Sequence, residues 1–264
     1  MENGWETGSG NGFGTGDAPT KLIPPAPARP DAPEVTWRWW EAIVVFLIGS
    51  VIGVLLALPV LASVKSHRMD DLVAAAAGEL GLGMGVVGWL WLLHRRNIKA
   101  LGFPEHPARE IGAGIVGGLA LYFGGVLVIG SILTAILQGV SSKQVQAPHQ
   151  LPTHLSAGEL VLAGITVLVL APIAEELFFR GMLFKSLRAR HGFWFAGPIS
   201  AVCFGAAHFQ GQWQNGLLLA LVMVCVGLGL AWLYEWRKNI VANMAAHATF
   251  NVIGFIFIVI TLNH

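Results

Sequence analysis

Residues 160–187 read LVLAGITVLVLAPIAEELFFRGMLFKSL. No charge appears from Leu160 to Ala174, and then Glu175, Glu176 and Arg180 arrive within six residues. A helix needs about 20 mainly apolar residues to cross the hydrocarbon layer of a bilayer. This segment, starting near Gly158 and running toward Leu187, reaches that length only by taking the two glutamates and the arginine with it. A charged side chain at the middle of such a helix costs about 2.5–3.5 kcal/mol on the insertion scale, so its presence is a functional hypothesis from the outset.

The rest of the chain repeats the pattern of long apolar runs. Of 264 residues, 55% are hydrophobic and 12% charged, against about 25% charged in ordinary soluble domains. Further spans are predicted from about Trp40 to Ala62, Leu72 to Leu93, Ile111 to Leu137, Trp194 to Phe209, Gly216 to Trp236 and Ile240 to Leu262. The expected fold is an all-α polytopic membrane bundle of about seven helices, or eight with a short re-entrant piece. Trp37, Trp39 and Trp40 open the first span, where amphipathic rings favour the headgroup level. The pairs Gly49/Gly53, Gly81/Gly85 and Gly114/Gly118 have the spacing that lets helix backbones approach closely.

Residues 1–36 are rich in Gly, Pro, Asp and Glu, with no early apolar core. They read as a disordered tail ahead of a transmembrane domain over 37–264, and not as a signal peptide. Basic residues set orientation. Arg95, Arg96, Lys99 and Arg109 share one loop, Lys185, Arg188 and Arg190 another, and Arg237 and Lys238 a third. The alternate loops hold little charge, apart from Lys65 and Arg68. The expectation is a cytoplasmic N-terminus and a place in the cell membrane. A net charge of +1 gives no field that would gather nucleic acid. Cys203 and Cys225 lie in apolar stretches and read as small buried hydrophobes.

Polar residues within the spans are few. Glu176 and Arg180 stand four apart on one helical face, acid first, the favourable order for an ion pair. Glu175 points about 100° away. His208 ends the Phe204-Gly205-Ala206-Ala207-His208 stretch of the fifth span. His247 and Asn251 are four apart and share a face of the last span. Pro172, just before the glutamates, is expected to kink its helix and free carbonyls. Glu79 stands alone in the second span. A carboxylate can take a proton from water and pass it to a leaving amine. An imidazole can orient that water, and imidazole and amide donors can hold an oxyanion. The set therefore suits amide hydrolysis.

Glu175-Glu176-x-x-x-Arg180, Phe204-x-x-x-His208 and His247-x-x-x-Asn251, in this order and each on a predicted membrane helix, resemble the motifs of the CAAX-protease and bacteriocin-processing (CPBP) family of intramembrane endopeptidases. The resemblance covers roughly residues 110–262, the expected protease core. It implies that Glu175 and His208 activate water, that His247 and Asn251 hold the oxyanion, and that Glu176 and Arg180 support them. Members of the family are called metalloproteases. The chain has no His-Glu-x-x-His motif, yet Glu175, His208 and His247 are three possible zinc ligands with an open position. The reading favours no metal and no other cofactor. The expected partners are the lipid bilayer and a peptide or membrane-associated protein substrate. Two other readings stay open: a non-catalytic immunity or scaffold protein, and a proton-coupled transporter using Glu79, Glu175 and Glu176. No internal repeat supports the transporter.

Overall fold

The computed structural model describes residues 35–63, 66–96, 98–141, 144–145 and 155–262. The predicted tail falls outside the described residues except for Val35 and Thr36, and so does Lys65 of the orientation argument. Among the described residues seven long helices follow one another, with a short 3-10 turn at Ile98–Leu101: α1 (Trp39–Leu61), α2 (His67–His94), α3 (Pro107–Val140), α4 (Ala157–His191), α5 (Phe193–Ala207), α6 (Trp213–Arg237) and α7 (Ile240–Leu262). Among the described residues there is no strand. Six of the helices are long and apolar enough to cross a membrane, and α5 is shorter. Lipid offers backbone N–H and C=O groups no partners, so a chain this apolar satisfies them within helices. The protein is an integral membrane helical bundle.

Sorting of side chains by size follows from the same solvent. On α1 the large residues Leu47, Val51, Val54 and Leu55 are exposed, while Ala42, Val45, Gly49, Gly53 and Ala57 are buried. Lipid tails are as apolar as Leu, so association rests on close packing of small residues. The Gly49/Gly53 and Gly81/Gly85 pairs meet each other across α1 and α2. A Cβ at Gly53 would lie 2.9 Å from the Ala77 carbonyl oxygen, and one at Gly81 would strike the backbone of Gly49 and Gly53. Gly114 and Gly118 pack in the same way on Ala242 and Ala246 of α7. We expect Gly81→Leu to lower the thermal midpoint of the detergent-solubilised protein, because overpacking costs on the order of 1–3 kcal/mol or more. Gly88→Leu is the control: nothing lies within 4 Å of a Cβ there, and its midpoint should match the wild type. Equal midpoints for both variants would remove the close-packing account.

Trp37 differs from the two tryptophans that follow it. It is fully buried, and its indole Nε1 donates to the Met182 carbonyl of α4 at 3.0 Å. Trp39 and Trp40 are the exposed pair. At the end carrying the basic loops, Tyr234 donates to Leu101 O at 2.7 Å, and Ile240 N donates to Gly102 O at 2.9 Å. Several of the orienting cations are paired as well. Arg237 makes a two-bond fork to Glu110, and Arg188 makes another to Glu235.

The half of α4 beyond Pro172 runs through the middle of the bundle. Every residue from Glu176 to Phe184 is buried. On both sides of Pro172 the helix departs from regular α geometry. Wide π turns occupy Thr166–Leu170 and Glu176–Phe184. Helix α5 has only 15 residues, which at 1.5 Å each span about 22 Å, short of the ~30 Å apolar layer. These two irregularities build the site.

Candidate active site

Helix α4 supplies the carboxylates. The Ala171 N–H bonds Thr166 O, five residues back. In that register the next donor would be Pro172, which has no N–H. The Val167 carbonyl is therefore left for a side chain, and Asn251 Nδ2 of α7 donates to it at 2.7 Å. In the second wide segment, Ser200 Oγ donates to Phe179 O at 3.1 Å, and Trp37 supplies Met182 O. Side chains of neighbouring helices thus satisfy carbonyls along the widened helix, as apolar surroundings require.

Glu175 and Glu176 sit where α geometry gives way to the second wide segment. Glu176 and Arg180 are fully buried. Glu176 Oε1 accepts from Arg180 Nη1 at 2.9 Å and from His247 Nδ1 at 2.9 Å, and Oε2 accepts from Asn243 Nδ2 at 3.2 Å. Arg180 Nη2 donates to Gly227 O at 3.1 Å, and its guanidinium lies over the Phe204 ring at 4.5 Å. The predicted i, i+4 pair is thus formed. It does not snorkel to the interface, because its partners are inside the bundle.

Glu175 looks the other way, toward both histidines. Its Oε2 is buried and has no hydrogen-bond partner among the described residues. It lies 3.9 Å from His247 Nε2 and 4.0 Å from His208 Nε2. The 100° between the two glutamates therefore does not separate their surroundings: His247 reaches Glu176 through Nδ1 and faces Glu175 through Nε2. His208 reaches Glu175 from the end of a short helix. Helix α5 stops at Ala207, and His208 takes the turn residue that follows, with φ −95° and ψ 2°.

Partner chemistry assigns the ring tautomers. His208 Nδ1 lies 2.8 Å from the Phe204 carbonyl oxygen, an acceptor only, so Nδ1 carries the hydrogen. His247 Nδ1 faces the Glu176 carboxylate, and the same logic holds. In the neutral rings both Nε2 atoms then present lone pairs. Three acceptors converge: Glu175 Oε2, His208 Nε2 and His247 Nε2. Phe204 orders the two rings, with its centroid 4.6 Å from His208 and 5.7 Å from His247.

Of the six residues singled out in the sequence, the structure gathers Glu175, Glu176, Arg180, His208 and His247. Asn251 lies one turn beyond His247, and its amide is engaged with Val167 O. Asn243, one turn before His247, was missed. Its signal was present, since Asn243-x-x-x-His247-x-x-x-Asn251 is a single helical stripe. Ser200 and Trp37 were missed because their partners are backbone carbonyls, which leave no mark on sequence. Among the described residues no group of three or more His, Cys, Asp or Glu side chains is assembled to hold a metal ion.

Fold and site together define a polytopic helical membrane protein with a carboxylate–imidazole cluster buried in its bundle. Residues 157–253 match the family model described as type II CAAX prenyl endopeptidase, Rce1-like. The resemblance carried by the three motifs is borne out over that segment, which holds all six residues. The chain is 31% identical over 142 residues to an "Uncharacterized 24.3 kDa protein" of Escherichia coli, covering 53% of this chain and 60% of the relative. It is 35% identical over 83 residues to the "Putative membrane peptidase YdiL" of Bacillus subtilis (strain 168), covering 31% of this chain and 32% of the relative. No solved structure matches the chain.

Proposed function

We propose that the chain is an intramembrane endopeptidase that hydrolyses a peptide bond with water activated by Glu175 and His208. The observation that carries this reading is the approach of Glu175 Oε2 to both imidazole Nε2 atoms, at 3.9 and 4.0 Å inside the bundle. Those separations are too long for direct hydrogen bonds and suit groups that act on a shared small molecule. A water would donate one hydrogen to Glu175 and the other to His208 Nε2. Glu175 takes the proton as the water oxygen bonds to the peptide carbonyl carbon, and then delivers it to the departing amine nitrogen as the C–N bond breaks. His247 acts as an oxyanion donor only with a proton on Nε2 as well as Nδ1. Glu176 beneath it is placed to balance that imidazolium. The second N–H of the Asn251 amide is the other donor.

The substrate class follows from the matched family's description. We propose a peptide or membrane-associated protein tail, with prenylated C-terminal peptides the first to test. The basic loops are read as cytoplasmic, which puts the N-terminus there too, in the cell membrane. No nucleic-acid partner and no cofactor are proposed. The reaction as written needs no metal, although Glu175, His208 and His247 would be the ligands if zinc were used.

The test is hydrolysis of fluorescence-quenched peptides, farnesylated and plain, by purified protein in detergent or liposomes. The farnesylated peptide should be cut, and a chelator should leave the rate unchanged. His208→Ala should lower kcat by about 10²–10⁴-fold, the usual range for a positioned proton-transfer group. Hydrolysis retained by His208→Ala overturns the assignment, and loss with chelator that zinc restores overturns the metal-free mechanism.

A further inference from the structure

Helix α5 sets the place of the site along the bundle. It begins at Phe193, just past the basic stretch Lys185–His191 that ends α4, and runs away from it to Ala207. Helix α6 runs back beside it and ends in Arg237, at the basic end again. Their contacts give the register. A Cβ at Gly197 would lie 3.5 Å from Leu228 Cδ1, one at Gly205 would lie 2.5 Å from Ala220 O, and one at Gly216 would lie 2.6 Å from Gln210 O. His208, the residue after α5, is therefore level with the Gly216–Ala220 turn of α6. Ala220 lies seven positions from Trp213, where α6 starts, and seventeen from Arg237. At 1.5 Å per residue that is about 10 Å to one end of α6 and about 26 Å to the basic end.

Exposure changes in the same direction. The side chains of His208 and Glu175 are 17% and 13% exposed, that of His247 5%, and those of Glu176 and Arg180 0%. Beyond His208, the residues Phe209–Trp213 are all exposed and carry no charge. Toward the basic loops, Glu176–Phe184 are buried without a break. That end is also tied shut. The carbonyls of Ala100, Leu101 and Gly102, consecutive residues of the α2–α3 connection, accept from Lys185 Nζ of α4, Tyr234 Oη of α6 and Ile240 N of α7. Leu101 is fully buried, and a Cβ at Gly181 would lie 3.0 Å from its Cδ2. Trp37, bonded to Met182 O, fills the same end from the α1 side. A hydrolase needs a way in for water and for a peptide backbone, and both are costly to carry through packed apolar side chains.

We propose that the site is entered from the face of the bundle opposite the basic loops, and that its substrate is a peptide segment presented on the non-cytoplasmic side of the membrane. The way in rests on packing alone. The substrate's side rests on the hydrolytic reading and on the basic loops staying in the cytoplasm. In detergent a peptide reaches either face, so the assay above is unaffected by sidedness.

Single cysteines in a chain carrying Cys203→Ala and Cys225→Ala report sidedness through a membrane-impermeant maleimide. Gln212→Cys should be labelled from outside intact cells, and Ala189→Cys only after the membrane is opened. Glu175→Cys in the same background reads the site itself: a small charged methanethiosulfonate should modify it from the Gln212 face and not from the Ala189 face. Hydrolysis by the wild type is then measured in right-side-out and inverted membrane vesicles. The substrate is the quenched peptide that is cut in detergent, lengthened by charged residues that keep it from crossing the bilayer. Hydrolysis should be present in right-side-out vesicles, lost in inverted ones and restored there by detergent. Modification or hydrolysis from the Ala189 face, or from neither face, overturns the proposed way in. Labelling of Ala189→Cys from outside the cell overturns the non-cytoplasmic substrate. A wild type that cuts no peptide in detergent would defeat the hydrolytic reading, and the modification of Glu175→Cys would still decide from which face the site is entered.

Discussion

Glu175→Gln should abolish peptide hydrolysis while leaving the bundle folded. The substitution keeps the side chain's shape and removes its ability to take a proton. Glu175 Oε2 makes no hydrogen bond to other described residues, so no structural bond at that atom is lost with the charge. General-base groups contribute roughly 10²–10⁴-fold to rate, and the loss should appear in kcat. KM for the farnesylated peptide should move little, because Glu175 acts on the water and not on the peptide's tail. Thermal unfolding in detergent should give a midpoint at or above the wild-type value, since one buried carboxylate has been neutralised. Turnover by the Gln variant within a few-fold of wild type would end the water-activation mechanism.

Arg180→Met should destabilise the protein more than any substitution at the lipid-facing surface. Arg180 holds Glu176 from the same helix and Gly227 O from α6, and its guanidinium lies over the Phe204 ring of α5. Removing it leaves a fully buried carboxylate with His247 and Asn243 alone. Breaking a buried ion pair by removing one partner typically costs about 3–5 kcal/mol. A reduced thermal midpoint and lower yield of folded protein are the expected readouts. Adding Glu176→Gln to Arg180→Met should restore part of the stability, because the stranded charge is then gone. Activity should not return with it, since His247 would lose the carboxylate that balances its second proton. An Arg180→Met midpoint equal to wild type would mean that the pair carries little of the fold. A double variant less stable than the single one would mean that stranded charge is not the cause.

Much of this was legible residue by residue. The long apolar runs marked the spans, because transfer of a helix into lipid depends mainly on the residues of that helix. The glycine pairs announced where backbones would touch, since a missing side chain is a local fact whatever lies opposite. Glu176 and Arg180 were paired correctly because an i, i+4 contact needs only helical geometry. The burial of Trp37 was not legible, because an indole at the start of a span turns inward only where a carbonyl waits for it. That carbonyl, Met182 O, is 145 positions away. Asn243 was passed over for a related reason. An asparagine one turn from a histidine is unremarkable until Glu176 stands opposite both.

The sequence alone determined that this is a membrane-embedded helical protein and which few side chains could not be left facing lipid. Both follow from solvation energies that each segment carries with it. Only the tertiary structure decided that His208 meets Glu175, because that depends on where α5 ends and on how it packs. It alone decided the widened turns of α4, where Asn251, Ser200 and Trp37 reach carbonyls across helices. It also decided which nitrogen of each histidine faces the site, because a ring's direction is set by the partner of its other nitrogen, and those partners come from packing.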